Sequence, residues 1–242
     1  MFVRGLRSGV GCARFTNFHI GAVGQPQRAG VVFSSRLGFY SMKDDMKYRT
    51  LIASLLVAFG AAGANAQTTT ANTVQRDVNQ QTRIEAGLKD GSLSTKEAGR
   101  LEREESQVDR LQAKDLKDGK LTPRERAQLR RAQNRASQDI HNAKTNDVKG
   151  NPESASSERM QADVARNVTQ EKRVEQGVQS GALTNREAGQ LERGQARVER
   201  QEAMAGRDGH VGKLEQSRVQ RKENQQSEEI FDKKHNGKNR KG

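Results

Sequence analysis

Apolar residues from about position 73 onward recur at intervals of three and four, the spacing that lines them up along one face of an α-helix. The clearest stretch runs from about Thr95 to about Leu116, where Glu and Arg fill most of the positions between the apolar ones. Its apolar positions are Ala98, Leu101, Val108 and Leu111. At 1.5 Å per residue, a helix of this length extends roughly 33 Å. The pattern predicts an amphipathic helix with one buried stripe.

This pattern occurs twice in the chain. Arg83 to Arg103 aligns without a gap on Arg173 to Arg193, 90 residues later, and 11 of the 21 positions are identical. Apolar positions outside this segment keep the same offset: Val74, Val78, Leu129 and Ile140 align with Val164, Val168, Val219 and Ile230. Burial constrains inner positions and leaves the surface free to vary. We therefore predict an all-α fold of two tandem three-helix units, related by an internal duplication with a 90-residue offset.

Each unit contains two helix-turn-helix segments, because a shorter pattern recurs inside it. Leu88 to Leu101 returns 28 residues later as Leu116 to Leu129, with Asp-Gly, Leu, a hydroxyl residue, Glu and Leu in matching places. Short connections place neighbouring helices antiparallel. Each unit is thus predicted to be an up-down-up arrangement of antiparallel helical hairpins.

Residues that end one helix and start the next define the predicted turns. Glycine adopts the left-handed conformation that ends a helix, and a Ser or Thr followed three residues later by Glu forms a capping box. These residues are Gly91, Ser94 and Glu97; Gly119, Thr122 and Glu125; and Gly181, Thr184 and Glu187. Gly212 replaces the hydroxyl residue at the fourth turn. We assign these residues a structural role in the turns.

Glycines also lie inside the predicted helices, where each costs about 1 kcal/mol relative to alanine. Gly87 and Gly99 lie six residues either side of Leu93, and Gly177 and Gly189 flank Leu183 in the same way. This spacing predicts that the two glycines of each pair face each other across the base of a hairpin, where they allow close approach of the backbones.

The N-terminal quarter of the chain has a different composition. Residues 46–66 combine a short basic start, an apolar run and Ala64-Asn65-Ala66, which is typical of a secretory signal peptide cleaved after Ala66. The apolar run is shorter than the ~20 residues of a membrane-spanning helix. Residues 1–45 are interpreted as an extension from a wrongly assigned start, with Met42 or Met46 as the true start, and a mitochondrial transit peptide is the alternative. The predicted location is the periplasm or the exterior.

The remaining boundaries follow from composition. We predict a disordered stub at 67–72, unit 1 at 73–147, a linker rich in Pro, Gly and Ser at 148–157, unit 2 at 158–232 and a disordered basic tail at 233–242. Each unit has about a dozen apolar side chains of useful size, so neither has a deep core. Docking of the units or formation of a homodimer would bury more of the stripes, and the sequence leaves both arrangements open.

Composition argues against an enzyme. Beyond residue 66 the chain has no Cys, its only aromatic residue is Phe231, and its 35 Lys and Arg against 28 Asp and Glu give a net charge of +7. The three histidines of this part, His141, His210 and His235, do not have the spacing of a metal site. We predict no catalytic residue, no cofactor and no small-molecule substrate.

Two further patterns are given structural interpretations. The D-G-x-L-[ST]-x-x-E turn is similar to the second half of an EF-hand loop, but Ala86 and Leu88 occupy the places of the first two ligands, so no metal site is predicted. Glu102 to Glu105 and its counterpart mix charges along a helix, which is typical of a solvated face.

The C-terminus has the clearest binding pattern. Lys233, Lys234, Lys238, Arg240 and Lys241 lie close together without apolar residues. Such a tail attracts anions by charge alone. The lack of aromatic residues in the tail, on which bases would stack, disfavours nucleic acid relative to a membrane surface or an anionic polymer of the cell envelope.

Leu93-Ser94-x-x-Glu97, Leu121-Thr122-x-x-Glu125 and Leu183-Thr184-x-x-Glu187 resemble the repeated motif of the LTxxQ periplasmic chaperone family, with Glu in place of Gln. The whole repeat also resembles those of uncharacterised exported bacterial proteins. The first resemblance implies an exported helical-hairpin protein that binds unfolded protein clients without ATP. We predict a non-enzymatic binding or structural protein, such as an ATP-independent holdase. The alternative is an anion-binding protein of the cell envelope, or a nucleic-acid-binding protein, that acts through its tail.

Overall fold

The structure, a computed structural model, describes residues 69–238. This part of the chain contains six helices and no strand, which confirms the all-α prediction. The helices are α1 (residues 69–89), α2 (Thr95–Asp115), α3 (Pro123–Thr145), α4 (Ala155–Ser180), α5 (Asn185–Ala205) and α6 (Lys213–His235). The predicted extension at 1–45 and signal peptide at 46–66 lie outside the described residues.

Helix α2 shows how local sequence sets the limits of an element. It begins after Ser94, which has extended backbone angles and caps the helix with its side chain, and Leu116 follows its last residue. Helix α3 begins at Pro123, where the missing N–H of proline is no loss. The helix predicted from about Thr95 to about Leu116 is therefore correct to within one residue.

Helix α1 includes part of the segment predicted to be a disordered stub. Residues 69–72 are helical, and Thr70 and Ala71 are buried. Ala71 belongs to an apolar cluster with Leu116, in the turn between α2 and α3, and with Val174 of α4. Burial of the alanine explains why the helix extends into this polar segment, so the stub prediction was wrong for these residues.

The two predicted units share their cores. One cluster joins Ile84 and Leu101 of the first three helices to Met160, Val164 and Val219 of the last three. A second cluster joins Ala71, Val74 and Leu116 to residues of α4, α5, the turn between them, and α6. Only the smallest cluster, around Val108, Leu129 and Ala136, lies within α2 and α3 alone. Most of the apolar surface is thus buried between the first and last three helices.

Helices α2 and α5 pack against each other in antiparallel orientation. A Cβ atom added to Gly99, near the start of α2, would lie 3.0 Å from the backbone of Gly206, just after α5. One added to Gly189, near the start of α5, would lie 2.7 Å from the Cβ atom of Leu116, just after α2. These glycines therefore permit close approach of the two helices.

The predicted glycine pairs were wrong in one respect. Gly87 lies against Leu93, and Gly177 lies against Leu183, so these two glycines do make room at the base of a hairpin. Gly99 and Gly189 instead face the opposite half of the molecule. The spacing of glycines along the chain did not predict the contacts of Gly99 and Gly189, because a small residue can pack against any helix of the fold.

The segment predicted as a linker packs against the first turn. The backbone N–H of Gly150 donates a hydrogen bond to the carbonyl oxygen of Gly91 at 2.9 Å. Helix α4 begins at Ala155, capped by Ser154, so the last three residues of the predicted linker are helical. Docking of Gly150 against the turn holds the start of α4 beside α1.

The prediction of a disordered tail from residue 233 was also wrong for residues 233–235, and residues 239–242 lie outside the described part of the chain. Helix α6 continues to His235, and Lys233 donates from Nζ to Oε1 of Gln190 at 2.7 Å. Lys234 donates to the carbonyl oxygen of Arg173 at 3.3 Å. Ile230 is completely buried against α4 and α5, and this anchoring continues the helix beyond the expected boundary.

Candidate functional site

The predicted turn residues all form local hydrogen bonds. Gly91, Gly119 and Gly181 have φ angles of 72°, 84° and 77°. At the first turn, Oγ of Ser94 accepts from the backbone N–H of Glu97 at 3.3 Å, and Oε2 of Glu97 accepts from the N–H of Ser94 at 3.0 Å. The same reciprocal bonds join Thr122 to Glu125 and Thr184 to Glu187.

The glutamates of two turns accept hydrogen bonds from outside their own capping boxes. Glu97 accepts a second hydrogen bond from Asn146 at 2.8 Å, and Glu187 accepts one from Asn236 at 2.7 Å. Partial burial by itself would raise the pKa of each carboxyl, but these bonds and the capping bonds outweigh it and lower the pKa. The turn residues therefore tie helix ends together and do not converge on a ligand.

The predicted anion-binding residues are dispersed. Lys233 and Lys234 bind neighbouring helices, as described above, and the N–H of Lys238 donates to Oδ1 of Asn236 at 2.9 Å. Arg240 and Lys241 lie outside the described residues. The described lysines are thus partly used within the fold.

The charged run in α2 is not a solvated face. Glu102 and Glu105 are 0% and 1% exposed, whereas Arg103 between them is exposed. Six other carboxylates are buried with them, and the eight together form what we call the acidic layer. Its members are Asp77, Glu102, Glu105, Asp109, Glu171, Glu192, Glu199 and Glu202. The interpretation of this run as solvated was wrong because α1 and α4 cover the side that carries the acids.

Nothing cationic is buried beside the acidic layer. Within residues 69–238, the fully buried side chains include no Lys, Arg or His. Burial raises the pKa of Asp77 and that of Glu102 to about 7. Burial and neighbouring carboxylates raise the pKa values of Glu105, Asp109, Glu192, Glu199 and Glu202 well above the usual range. An ionised carboxylate in such surroundings needs a positive partner.

Three members of the acidic layer converge. Asp77 of α1, Asp109 of α2 and Glu192 of α5 each place a carboxylate oxygen within 4.8 Å of the other two. Oδ1 of Asp77 accepts from Nε2 of Gln133 at 2.6 Å. Neither oxygen of Asp109 or Glu192 accepts a hydrogen bond from any residue in the described range. The three carboxylates come from three helices and meet where few protein donors reach them.

The opposite sides of α2 and α5 are basic. Of the twelve exposed positions on these helices, nine are Lys or Arg, and the other three are Gln107, Gln190 and Met204. We call the nine the basic face. They are Lys96, Arg100, Arg103, Arg110, Lys114, Arg186, Arg193, Arg197 and Arg200. None of them takes part in the three ion pairs found among residues 69–238.

The basic face is continuous across the two helices. A groove of ≈ 350 Å³ is lined by Arg103 and Arg110 from α2 and by Arg200 from α5. Grooves of ≈ 310 Å³ and ≈ 410 Å³ lie along the same pair of helices, each lined by Lys and Arg from both sides. Cations from both helices line the first groove, whereas in each of the other two the cation on one side comes from the turn that follows a helix, Arg207 after α5 and Lys117 after α2.

Both features were missed in the sequence, although a signal for them exists. The exposed positions of α2 and α5 follow spacings of four, three, four, three and four. The buried polar positions Glu102, Glu105, Asp109 and Gln112 follow spacings of three, four and three, and Glu192 to Glu202 repeats them. Acids and bases therefore occupy two separate helical stripes, which a count of charges along the chain does not show.

None of the helices in the described range is long and apolar enough to span a membrane. A scan against protein-family models gave no match, and searches of curated proteins and of solved structures gave none either.

Proposed function

We propose that the protein is an exported, non-enzymatic binding protein that holds an anionic polymer along the basic face. The observation that carries this proposal is the occupancy of the exposed positions on α2 and α5, where nine of twelve are Lys or Arg and none is Asp or Glu. The partner is the anionic component of the cell envelope that the sequence analysis gave as an alternative. The proposed contact surface is formed by the two central helices instead of the C-terminal tail.

The shape of the basic face suits an extended chain. A helix of 21 residues such as α2 is roughly 30 Å long. Cations arranged in rows along two neighbouring helices attract a polymer of regularly spaced phosphates, and release of its counterions drives binding. Arginine adds bidentate hydrogen bonds to phosphate oxygens.

Nucleic acid is a less suitable polymer for this face. Reading of single-stranded bases depends on aromatic platforms, and the face contains no aromatic side chain. Binding by charge alone recognises the phosphate chain and not the base sequence. We therefore propose a phosphate-bearing polymer of the envelope as the partner.

The holdase hypothesis has less support, because the apolar stripes on which it depends are covered. Leu101 and Val108 are buried. The large apolar residues exposed within 69–238 are Val148, Met204, Leu214 and Phe231. Leu214 and Phe231 lie near opposite ends of α6, Met204 lies on α5 and Val148 lies between α3 and α4, so they form no stripe along one helix.

An internal duplication accounts for the symmetry of the basic face. Each exposed position of α2 aligns with an exposed position of α5 exactly one 90-residue offset later. We propose that an ancestral helix with acids on one side and bases on the other was copied, and that the two copies became antiparallel neighbours. This proposal explains why both stripes occur on both helices.

The test is binding to long-chain inorganic polyphosphate over a range of salt concentrations. The triple variant Arg103→Glu, Arg110→Glu and Arg200→Glu should lose most of its affinity. The salt dependence of its remaining binding should also be shallower, because fewer counterions are released. Four phosphate contacts would give the wild-type protein about a hundredfold loss of affinity between about 50 and 200 mM salt.

The matched control reverses three exposed arginines elsewhere, Arg124, Arg131 and Arg221, and so changes the net charge by the same amount. It should retain most of the affinity of the wild-type protein. Equal losses in both triple variants would show that net charge, and not the basic face, drives binding. A chain that lacks residues 239–242 should bind polyphosphate with the affinity of the wild-type protein. A large loss of affinity in that variant would show that the tail is the main contact.

A further inference from the structure

The convergence of Asp77, Asp109 and Glu192 has the dimensions of a cation site. Their nearest oxygens lie within 4.8 Å of one another. Oxygens on opposite sides of a Ca²⁺ ion, each at 2.3–2.6 Å, are about 5 Å apart. This spacing is compatible with one ion that contacts all three carboxylates.

A buried amide next to these carboxylates also lacks a partner. Gln112 is 0% exposed, and neither Oε1 nor Nε2 of its side chain makes a hydrogen bond with any residue of the described chain. The amide faces Asp77 and Glu192 closely enough to lower the pKa of each carboxyl, although burial raises both pKa values overall, and no contact to either carboxylate has the geometry of a full hydrogen bond. A cation held between the carboxylates would give Oε1 of Gln112 a partner.

A comparison within the molecule shows what the site requires. Nε2 of Gln81 donates to Oε2 of Glu102 at 3.0 Å and to Oε1 of Glu199 at 2.9 Å, so one amide bridges two carboxylates. One 90-residue offset away, Glu102 corresponds to Glu192, and Glu199 corresponds to Asp109. These two are members of the converging group.

The bridging group differs between the two positions. The residue that corresponds to Gln81 is Glu171, which is 1% exposed and belongs to the acidic layer. A glutamine amide supplies two N–H donors to a pair of carboxylates, whereas an ionised glutamate supplies none. At the second position a further carboxylate therefore stands where the first position has its bridging donor.

We propose that a hard divalent metal cation binds in the acidic layer between Asp77, Asp109 and Glu192, with Gln112 and Glu171 beside it. All of these ligands offer oxygen, the donor that Ca²⁺ and Mn²⁺ prefer. No nitrogen or sulfur ligand of the described residues converges with them, which disfavours Zn²⁺ and copper. Mg²⁺ is also disfavoured, because it usually retains several waters and binds through only one or two carboxylates, whereas three converge here.

The site holds one ion per chain. At the position of Glu102 and Glu199 the amide of Gln81 already bridges the carboxylates, so a second cation has no place there. This site is separate from the basic face and does not depend on the binding of polymers. The cation would neutralise carboxylates on α1, α2 and α5 and so hold these helices together.

The test measures bound metal and thermal stability of the full chain after treatment with a chelator. Separate samples receive Ca²⁺, Mn²⁺, Mg²⁺ or Zn²⁺, and equilibrium dialysis with elemental analysis counts the ions. We expect one Ca²⁺ or Mn²⁺ per chain and a higher Tm in the presence of that ion. Failure of all four metals to bind would overturn the proposal, and it would leave the proposed binding of polymers untouched.

The most informative variant is Glu171→Gln, because it copies the bridge that Gln81 makes at the related position. It should bind the ion roughly ten- to hundredfold more weakly and should have a higher Tm in chelator than the wild-type protein. The control, Glu175→Gln, changes a buried carboxylate one turn further along α4 that accepts from Gln179. It should bind the ion as the wild-type protein does.

Asp109→Asn removes a direct ligand and should also lose the ion. If this variant fails to fold, Glu171→Gln still tests the proposed metal site, because this substitution is expected to stabilise the metal-free protein. Equal affinity of Glu171→Gln and Glu175→Gln for the ion would contradict the proposed site. So would an ion that binds the wild-type protein and Asp109→Asn equally well.

Discussion

At the scale of single residues, turns were predictable and buried charges were not. Ser94 and Glu97 form their capping box within four residues of chain, so the sequence contains the whole interaction. Glu102 and Arg103 are neighbours of similar polarity, yet one is buried and the other exposed. What separates them is the packing of distant helices, and no local pattern contains that information.

Glu223 gives a prediction about pH at this scale. Burial raises the pKa of its carboxyl to about 8, with Asp163 adding to the rise and Arg166, 3.3 Å away, opposing it. An ordinary glutamate in the unfolded chain loses its proton near pH 4.5. Between these values the folded chain holds a proton that the unfolded chain has lost, so stability falls as pH rises.

We therefore expect urea unfolding in chelator to show a lower midpoint at pH 8 than at pH 5. Glu223→Gln should make the decline shallower, because the residue no longer ionises. Glu228→Gln on the exposed side of α6 is the control and should leave the decline unchanged. A midpoint that rises with pH in the wild-type protein would contradict the burial of this carboxyl.

At the scale of elements, the limits of the helices could be predicted and their partners could not. The apolar stripe of α2 gave its length correctly. Gly99 was expected to face Gly87 across a hairpin, but it meets Gly206 at the end of α5. Antiparallel packing of α2 and α5 brings together residues about 100 positions apart, and a small residue carries no mark of which helix it will meet.

Gly189→Ala tests the contact between α2 and α5. The added Cβ atom would lie 2.7 Å from Cβ of Leu116, an atom that cannot rotate away. Overpacking costs about 1–3 kcal/mol and the gain in helix propensity offsets about 1 kcal/mol, so the free energy of unfolding should fall by up to about 2 kcal/mol. Urea unfolding measures this change.

Arg193→Ala, at an exposed position one turn beyond Gly189, is the control for this substitution. Its free energy of unfolding should stay within about 0.5 kcal/mol of the wild-type value. If Gly189→Ala stabilised the protein by its helix propensity alone, the close approach of α2 and α5 would be wrong.

At the scale of the whole molecule, the sequence predicted two three-helix units and left open whether they dock with each other. Ile84 of α1 and Val164 of α4 belong to one apolar cluster. A chain of this composition has few large apolar residues, so two separate bundles would each have had a thin core. Sharing the cores leaves α2 and α5 in the middle, with acids on the inner side and bases on the outer side.

This arrangement of charge is the central claim, and carboxyl footprinting tests it most directly. A water-soluble carbodiimide and an amine would modify exposed carboxylates of the folded protein, and mass spectrometry would locate the labels. Glu105, Asp109 and Glu199 should remain unlabelled until the chain unfolds, whereas the exposed Glu158 and Glu228 should react quickly. Labelling of Glu105 and Asp109 at the rate of Glu228 would contradict the buried acidic layer.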